Sequence, residues 1–97
     1  SEGQKRRVSI AAVAASQPEL LLLDEPTVGQ DGEGLRTLLH ALNLLHTRTG
    51  STIVTVTHDR RCTSALCDRA AWLREGRIEK TGGPELIEAA WRDLAAL

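Results

Sequence analysis

The sequence predicts an α/β fold with parallel strands, a terminal β-hairpin and a C-terminal helix. A continuous apolar run, 20–23, is bounded by prolines and is typical of a strand buried on both faces. A β-branched run, 52–57, predicts a second strand. Between them, leucines recur at helical spacing over 31–48, and Gly50 is a suitable C-cap. A strand–helix–strand unit of this kind places its two strands in parallel.

Composition limits the classes of function that the chain can serve. Its 97 residues are 41% hydrophobic, which is enough for one small domain with a modest core. Twelve basic residues face 13 acidic ones, so no charge excess favours nucleic acid as a partner. No apolar run is long enough to cross a bilayer. We therefore expect a cytoplasmic protein whose link to a membrane runs through a partner, with Cys62 and Cys67 reduced.

The first segment predicts a helix over residues 1–17. Ser1 is a good N-cap, Gln4 stands at the capping-box position, and Pro18 ends the helix. A helix N-terminus that carries a serine hydroxyl and a glycine can bind an anion. Taken alone, these residues are more often an ordinary capped helix with a basic exposed face.

Two adjacent carboxylates follow the first strand, which we predict over residues 20–25. An acid at the end of a buried strand can hold Mg²⁺, directly or through water, as Asp24 could. A second acid beside it, Glu25, can orient and deprotonate an attacking water. We expect Pro26 to keep Glu25 extended. The alternative is a solvated acidic turn after a core strand.

His58 ends the second predicted strand, 52–58. Parallel strands bring their carboxyl ends to one edge of the sheet, where open α/β sheets bind ligands. Glu25 and His58 are 33 residues apart (58 minus 25), and we expect them to converge there. A hydrogen-bonded polar residue at a strand end is the alternative for a lone histidine.

The last third of the chain carries structural signals. A short helix is predicted from residue 60 to about residue 68. Segments 71–74 and 77–80 flank Glu75-Gly76 and predict a hairpin. Pro84 introduces the last predicted helix.

These motifs together resemble those of the ATP-binding-cassette (ABC) ATPases. Residues 1–7 resemble the family's signature motif, and 20–24 its Walker B strand. Glu25 matches the catalytic glutamate, 26–31 the D-loop, and His58 the switch histidine. They occur in the family's order and spacing and cover nearly the whole chain.

The resemblance implies the fold and the chemistry of the strand edge. The fold would be the C-terminal half of a three-layer P-loop NTPase domain of the ABC/RecA-like type. ABC ATPase domains work as head-to-tail pairs that sandwich ATP. Asp24 would help to hold Mg²⁺, Glu25 would polarise the attacking water, and His58 would contact the γ-phosphate.

The resemblance also implies residues that act across the pair. Ser1, Gly3 and Gln4 would contact the ATP held by the partner subunit, and Asp31 of the D-loop would couple the two sites. The implied partners are a second ABC ATPase domain, identical or not, and integral membrane transporter subunits. No nucleic-acid partner is expected, and the protein would lie on the cytoplasmic face of the plasma membrane.

Three features depart from the commonest family pattern. Glu2 stands where most signatures have glycine, and a carboxylate there must point away from phosphate. Gly29-Gln30 before Asp31 resembles the ATPases of energy-coupling-factor importers, which take up vitamins and metal ions. No GxxxxGK[ST] loop occurs in these residues, so the Walker A half is absent. We therefore expect a fragment that is inactive alone.

The sequence favours the ATPase subunit of a transporter over two alternatives. One is a non-transport ABC ATPase that acts on nucleic acid or ribosomes. The other is an inactive fragment that serves as an interaction module.

Overall fold

A computed structural model describes residues 1–59, 67–86, 88–89 and 92. The chain forms two compact units, Ser1–His58 and Asp59–Leu97. None of the helices in the described part of the chain is long and apolar enough to span a membrane. The first unit contains α1 (Glu2–Ala14), β1 (Leu20–Asp24), α2 (Gly32–Thr49) and β2 (Thr52–Val56), and the second contains β3 (Ala70–Arg74) and β4 (Arg77–Gly82).

Helix α1 begins with the predicted capping box. The Ser1 hydroxyl accepts from the Gln4 backbone N–H at 3.1 Å, and Gln4 Oε1 accepts from the Ser1 amino group at 3.1 Å. The predicted C-terminal end at residue 17 is wrong, because the helix ends at Ala14. Pro18 disfavours the right-handed helical region at the residue before it, and Gln17 has φ 52°.

Strands β1 and β2 pair in parallel, as predicted, and their register places Asp24 opposite Val56. They end there, one and two residues before the predicted ends at residues 25 and 58. Glu25 has φ 48°, so the prediction that Pro26 keeps it extended is wrong. The Glu25 N–H still donates to the Val56 carbonyl at 2.7 Å, which holds the turn against the end of β2.

The prediction that the first strand is buried on both faces is wrong for this structure. Burial alternates along β1, because α2 covers only one face of the two-stranded sheet in the described part of unit Ser1–His58. The buried apolar residues are Leu21, Leu23, Leu35, Leu38 and Leu42. The other face stays open and carries Leu20, Leu22, Val54 and Val56, which are 53%, 68%, 47% and 51% exposed.

Helix α2 is capped at both ends, and its C-cap is the predicted Gly50. Asp31 is the N-cap, and its Oδ1 accepts from the Gly34 N–H at 2.7 Å. Gly50 is the C-cap with φ 71°, the left-handed conformation that glycine adopts without a Cβ penalty. The loop between β1 and α2 therefore ends at a fixed residue, Asp31.

The second unit contains the predicted hairpin. Strands β3 and β4 are antiparallel, and Glu75 and Gly76 form the turn with φ 51° and 74°. Positive φ at both central residues is the type I′ arrangement that suits a two-residue hairpin. Most of the predicted helix 60–68 and much of the last helix lie outside the described residues.

Candidate functional site

The carboxyl ends of β1 and β2 bring Glu25 and His58 together, as the parallel arrangement predicted. Glu25 Oε1 lies 3.5 Å from His58 Nε2, and Glu25 Oε2 accepts from the His58 backbone N–H at 3.4 Å. The Glu25 side chain is 30% exposed and that of His58 is 95% exposed. A carboxylate next to an imidazole on an open edge can take a proton from a bound water.

The backbone of Glu25 is held in an unusual conformation. A glutamate with φ 48° lies in the left-handed region, which residues with a Cβ rarely adopt. Its carbonyl oxygen accepts from Arg6 Nη1 at 3.1 Å and from the Val28 N–H at 3.3 Å. Strained backbone is concentrated at functional sites, where neighbouring contacts maintain it. Arg6 of α1 therefore supports the carboxylate through its main chain.

Asp24 is exposed at the end of β1 and directly precedes Glu25. No group of three or more His, Cys, Asp or Glu residues capable of holding a metal occurs in the part of the chain that is described. Mg²⁺ is commonly held by one or two carboxylates together with substrate phosphates and waters. Asp24 fits as a single protein ligand of that kind, and the phosphate oxygens of the substrate and waters would supply the other ligands of the ion.

The first turn of α1 meets the D-loop at a glycine pair. Gly3 is buried, and a Cβ on it would lie 2.5 Å from the Gly29 carbonyl oxygen. Ser1 and Gln4 are exposed and cap each other's backbone at the same turn. The predicted phosphate-binding residues therefore share the helix N-terminus, where unpaired N–H groups favour an anion.

Glu2 does not turn toward that helix end. Its side chain is 71% exposed, and Oε1 lies 3.9 Å from Arg6 Nη2, one helical turn along α1. An exposed pair at this spacing contributes little to stability. It does direct the carboxylate along the helix, which is the orientation that a signature with glutamate at this position requires.

Three residues of this region were not predicted from the sequence. Arg6 and Arg7 were considered only as part of the signature-like segment or, in the alternative, of a basic exposed face, yet both are half-buried. Arg6 donates to the Glu25 carbonyl, and Arg7 donates to Gln30 of the D-loop. Gln30 was noted only as a departure from the family pattern, yet its side chain bonds α1 at Arg7 and Gly3. Only tertiary contacts reveal these roles, because each of the bonds joins residues that are 19 to 27 positions apart in the sequence.

Cys67 is the cysteine that the described part of the chain contains. It is a free cysteine, and burial raises the pKa of its thiol, with a further contribution from the Asp68 carboxylate. A raised pKa disfavours the reactive thiolate at neutral pH. Cys62 lies outside the described residues.

The described units have the strand order and helix placement of a partial P-loop NTPase domain, and solved structures share this fold. One of them is the structure of cbiO1 from Clostridium perfringens, described as part of the ABC transporter complex cbiONQ. It matches with a TM-score of 0.78 and 35% identity, and the match covers 99% of this chain and 38% of the cbiO1 chain. The ATP-binding cassette MJ0796, in a dimeric post-hydrolysis state with ADP and Pi, matches with a TM-score of 0.78 and 32% identity, over 87% and 36% of the two chains.

Sequence comparison agrees with the structural one. A family model described as ABC transporter matches residues 1–28. The energy-coupling factor transporter ATP-binding protein EcfA2 of Lacticaseibacillus paracasei is 45% identical over 93 residues, which cover 94% of this chain and 32% of that protein. The chain belongs to the ABC transporter ATPase family. It spans about a third of the length of the curated relatives it matches.

Proposed function

We propose that the protein containing these residues hydrolyses ATP as the ATPase subunit of an ABC transporter, with Glu25 as the catalytic base. The observation that carries this proposal is the meeting of Glu25 and His58 at 3.5 Å on the carboxyl edge of the parallel strands. Ligands of open α/β sheets bind at that edge. Membership of the ABC family identifies the ligand class as ATP.

Three side chains would have separate roles in ATP hydrolysis at this edge. The oxygen of the water attacks the γ-phosphorus and ADP leaves, while Glu25 takes a proton from that water. His58 donates a hydrogen bond to a γ-phosphate oxygen, which its exposed ring can reach. Asp24 would hold Mg²⁺, directly or through water, and a bound Mg²⁺ would supply charge neutralisation at the phosphates.

A second copy or a related domain would complete the site. The capped first turn of α1, with Ser1, Gly3 and Gln4, is proposed to contact the ATP held by the partner subunit. The dimeric state of the MJ0796 cassette supports a paired arrangement. Asp31 would couple the two sites through the loop that joins β1 to α2.

The transport role is proposed to be import, with energy-coupling-factor systems as the subfamily. Several curated relatives are EcfA2 proteins, and others bear names for cobalt, sulfate/thiosulfate and spermidine/putrescine import. The proposed substrate is a vitamin or a transition-metal ion. The protein would lie on the cytoplasmic face of the membrane, bound to integral membrane subunits.

The test uses what we call the assembled ATPase: these residues preceded by a GxxxxGK[ST]-bearing segment, either in the natural protein or joined from the L. paracasei relative. Phosphate release should require Mg²⁺ and ATP and should rise when membrane subunits are present. Absence of hydrolysis by a folded, ATP-binding protein would refute the proposal. Salt-sensitive stimulation by RNA or DNA would favour a non-transport ATPase instead.

Asp31 has a capping role and a proposed coupling role, and two substitutions separate them. Asp31→Ala removes the cap on α2 and should lower the free energy of unfolding by about 1 kcal/mol. Asp31→Asn keeps a good N-cap and should leave stability nearly unchanged, yet it removes the carboxylate charge. If Asp31 couples the sites, both variants should lower ATP turnover in the assembled ATPase.

The comparison that decides the role of Asp31 is turnover against stability. Denaturant unfolding gives the stability change, and phosphate release gives the rate. Full turnover in Asp31→Asn, with a loss only in Asp31→Ala, would contradict the coupling role and leave Asp31 as a helix cap.

A further inference from the structure

Gln30 joins the D-loop to α1 through both ends of its side-chain amide. Its Nε2 donates to the Gly3 carbonyl at 2.9 Å, and its Oε1 accepts from the Arg7 guanidinium. Gly3 and Arg7 are one helical turn apart on α1. A single side chain therefore fixes the loop before α2 to two points at the N-terminal end of α1.

Two glycines make room for this amide. A Cβ on Gly34 would lie 2.6 Å from Gln30 Oε1 and would overlap the Arg7 guanidinium. A Cβ on Gly3 would lie 3.3 Å from the same oxygen. The amide therefore lies between the N-terminal parts of α1 and α2, at two positions, Gly3 and Gly34, that carry no side chain.

Within the described residues, apolar packing contributes little to holding α1. Gly3 is its one buried residue, and Val8 and Val13 are 68% and 52% exposed. Because little apolar area is removed from water along this helix, hydrophobic burial contributes little to its position. The hydrogen bonds that join α1 to Glu25 and Gln30 then decide how firmly its N-terminal part is held: Arg6 donates to the Glu25 carbonyl, Arg7 donates to Gln30, and Gln30 donates to the Gly3 carbonyl.

We infer that Gln30 is a positioning residue: it sets the phosphate-facing turn of α1 against the D-loop within one subunit, and so sets how well that turn engages the ATP of the partner subunit. This rests on the proposed function. Gln30 itself does not touch ATP in this scheme, because it acts through Gly3 and Arg7. Loss of its two hydrogen bonds should loosen the turn without removing any group that contacts phosphate.

The test compares Gln30→Met with the parent assembled ATPase. Methionine nearly conserves the volume of glutamine and removes both hydrogen bonds. Amide hydrogen exchange in the first two turns of α1, without nucleotide, should become about tenfold faster. This factor corresponds to the net free energy that about one hydrogen bond contributes to stability. The ATP concentration for half-maximal turnover should rise by about tenfold, while kcat at saturating ATP changes less than about threefold.

Matched variants isolate the network. Arg7→Met removes the bond to Gln30 but leaves the bond from Gln30 to Gly3, so it should change both quantities in the same direction as Gln30→Met and by less. The double variant should add little to Gln30→Met, because Arg7 has already lost this partner. Arg36→Met removes an exposed arginine from α2 and should change neither exchange in α1 nor the ATP requirement.

Each outcome decides a separate point. Unchanged exchange in α1 of Gln30→Met would overturn the anchoring by Gln30. Faster exchange with an unchanged ATP requirement would overturn the positioning role and leave Gln30 as a residue of the fold alone. Turnover that is insensitive to Glu25→Gln would refute the proposed function instead, and exchange alone would then decide whether Gln30 anchors α1.

Discussion

Replacing Glu25 with glutamine is expected to lower ATP turnover in the assembled ATPase by about 10²- to 10⁴-fold, the range of general-base catalysis. Glutamine keeps the size and the hydrogen-bonding reach of glutamate, but it cannot take a proton from water. ATP binding and ATP-driven pairing should persist, because neither needs the base. Phosphate release measures the first effect, and nucleotide binding together with size-exclusion chromatography in ATP measures the second.

The matched control is Glu19→Gln, at the opposite end of β1. Glu19 is exposed, and its backbone carbonyl, not its carboxylate, bonds β2 at Thr52. This variant should turn over ATP at the parent rate. Equal rates for Glu25→Gln and the parent would remove Glu25 from the chemistry and return the acidic pair to the status of a solvated turn.

Gly3→Ala should produce the second large effect, a loss of ATP turnover in the assembled ATPase together with a smaller loss of unfolding free energy. A Cβ at Gly3 would lie 2.5 Å from the Gly29 carbonyl oxygen, which belongs to the backbone and cannot rotate away. Overpacking of this kind costs about 1–3 kcal/mol and displaces α1 from the D-loop. Alanine also has a helix propensity about 1 kcal/mol more favourable than that of glycine. This gain offsets part of the loss in unfolding free energy, but it does not restore the position of α1 on which ATP turnover depends.

Gly32→Ala controls for helix propensity. It introduces the same methyl group in the first turn of α2, where the nearest atom, of the flexible Arg36 side chain, is 3.7 Å away. Denaturant unfolding should show Gly32→Ala as stable as the parent or more so, and its ATP turnover should be unchanged. If Gly3→Ala behaves in the same way, the contact between Gly3 and Gly29 does not constrain α1.

Local signals in the sequence were sufficient to predict the type and order of α1, β1, α2, β2 and the hairpin, and the sheet edge where Glu25 and His58 lie. Capping at Ser1 and Gly50 depends on single residue types at helix ends, and both caps are present. The meeting of Glu25 and His58 followed from strand polarity alone, because parallel strands align their carboxyl ends.

Features set by tertiary contact could not be predicted in this way. Pro26 restricts Glu25 locally, yet the hydrogen bonds at both ends of the Glu25 peptide, with Val56 and Arg6, accompany a left-handed backbone. Arg7 and Gln30 lie 23 residues apart, and neither residue type implies a bond to the other. The apolar run of β1 indicated burial, but whether one face or both are covered depends on what packs against the sheet.

The left-handed backbone at Glu25 lowers the thermodynamic stability of the fold, although catalysis requires the glutamate at this position. Backbone strain of this kind costs about 1–3 kcal/mol, and glycine or asparagine relieves much of it. Variants chosen for thermostability alone would therefore tend to replace Glu25, and their melting temperature would rise as hydrolysis disappeared. The residue that the chemistry requires differs from the residue that the chain conformation prefers, so stabilising this fold by design must leave that position unchanged.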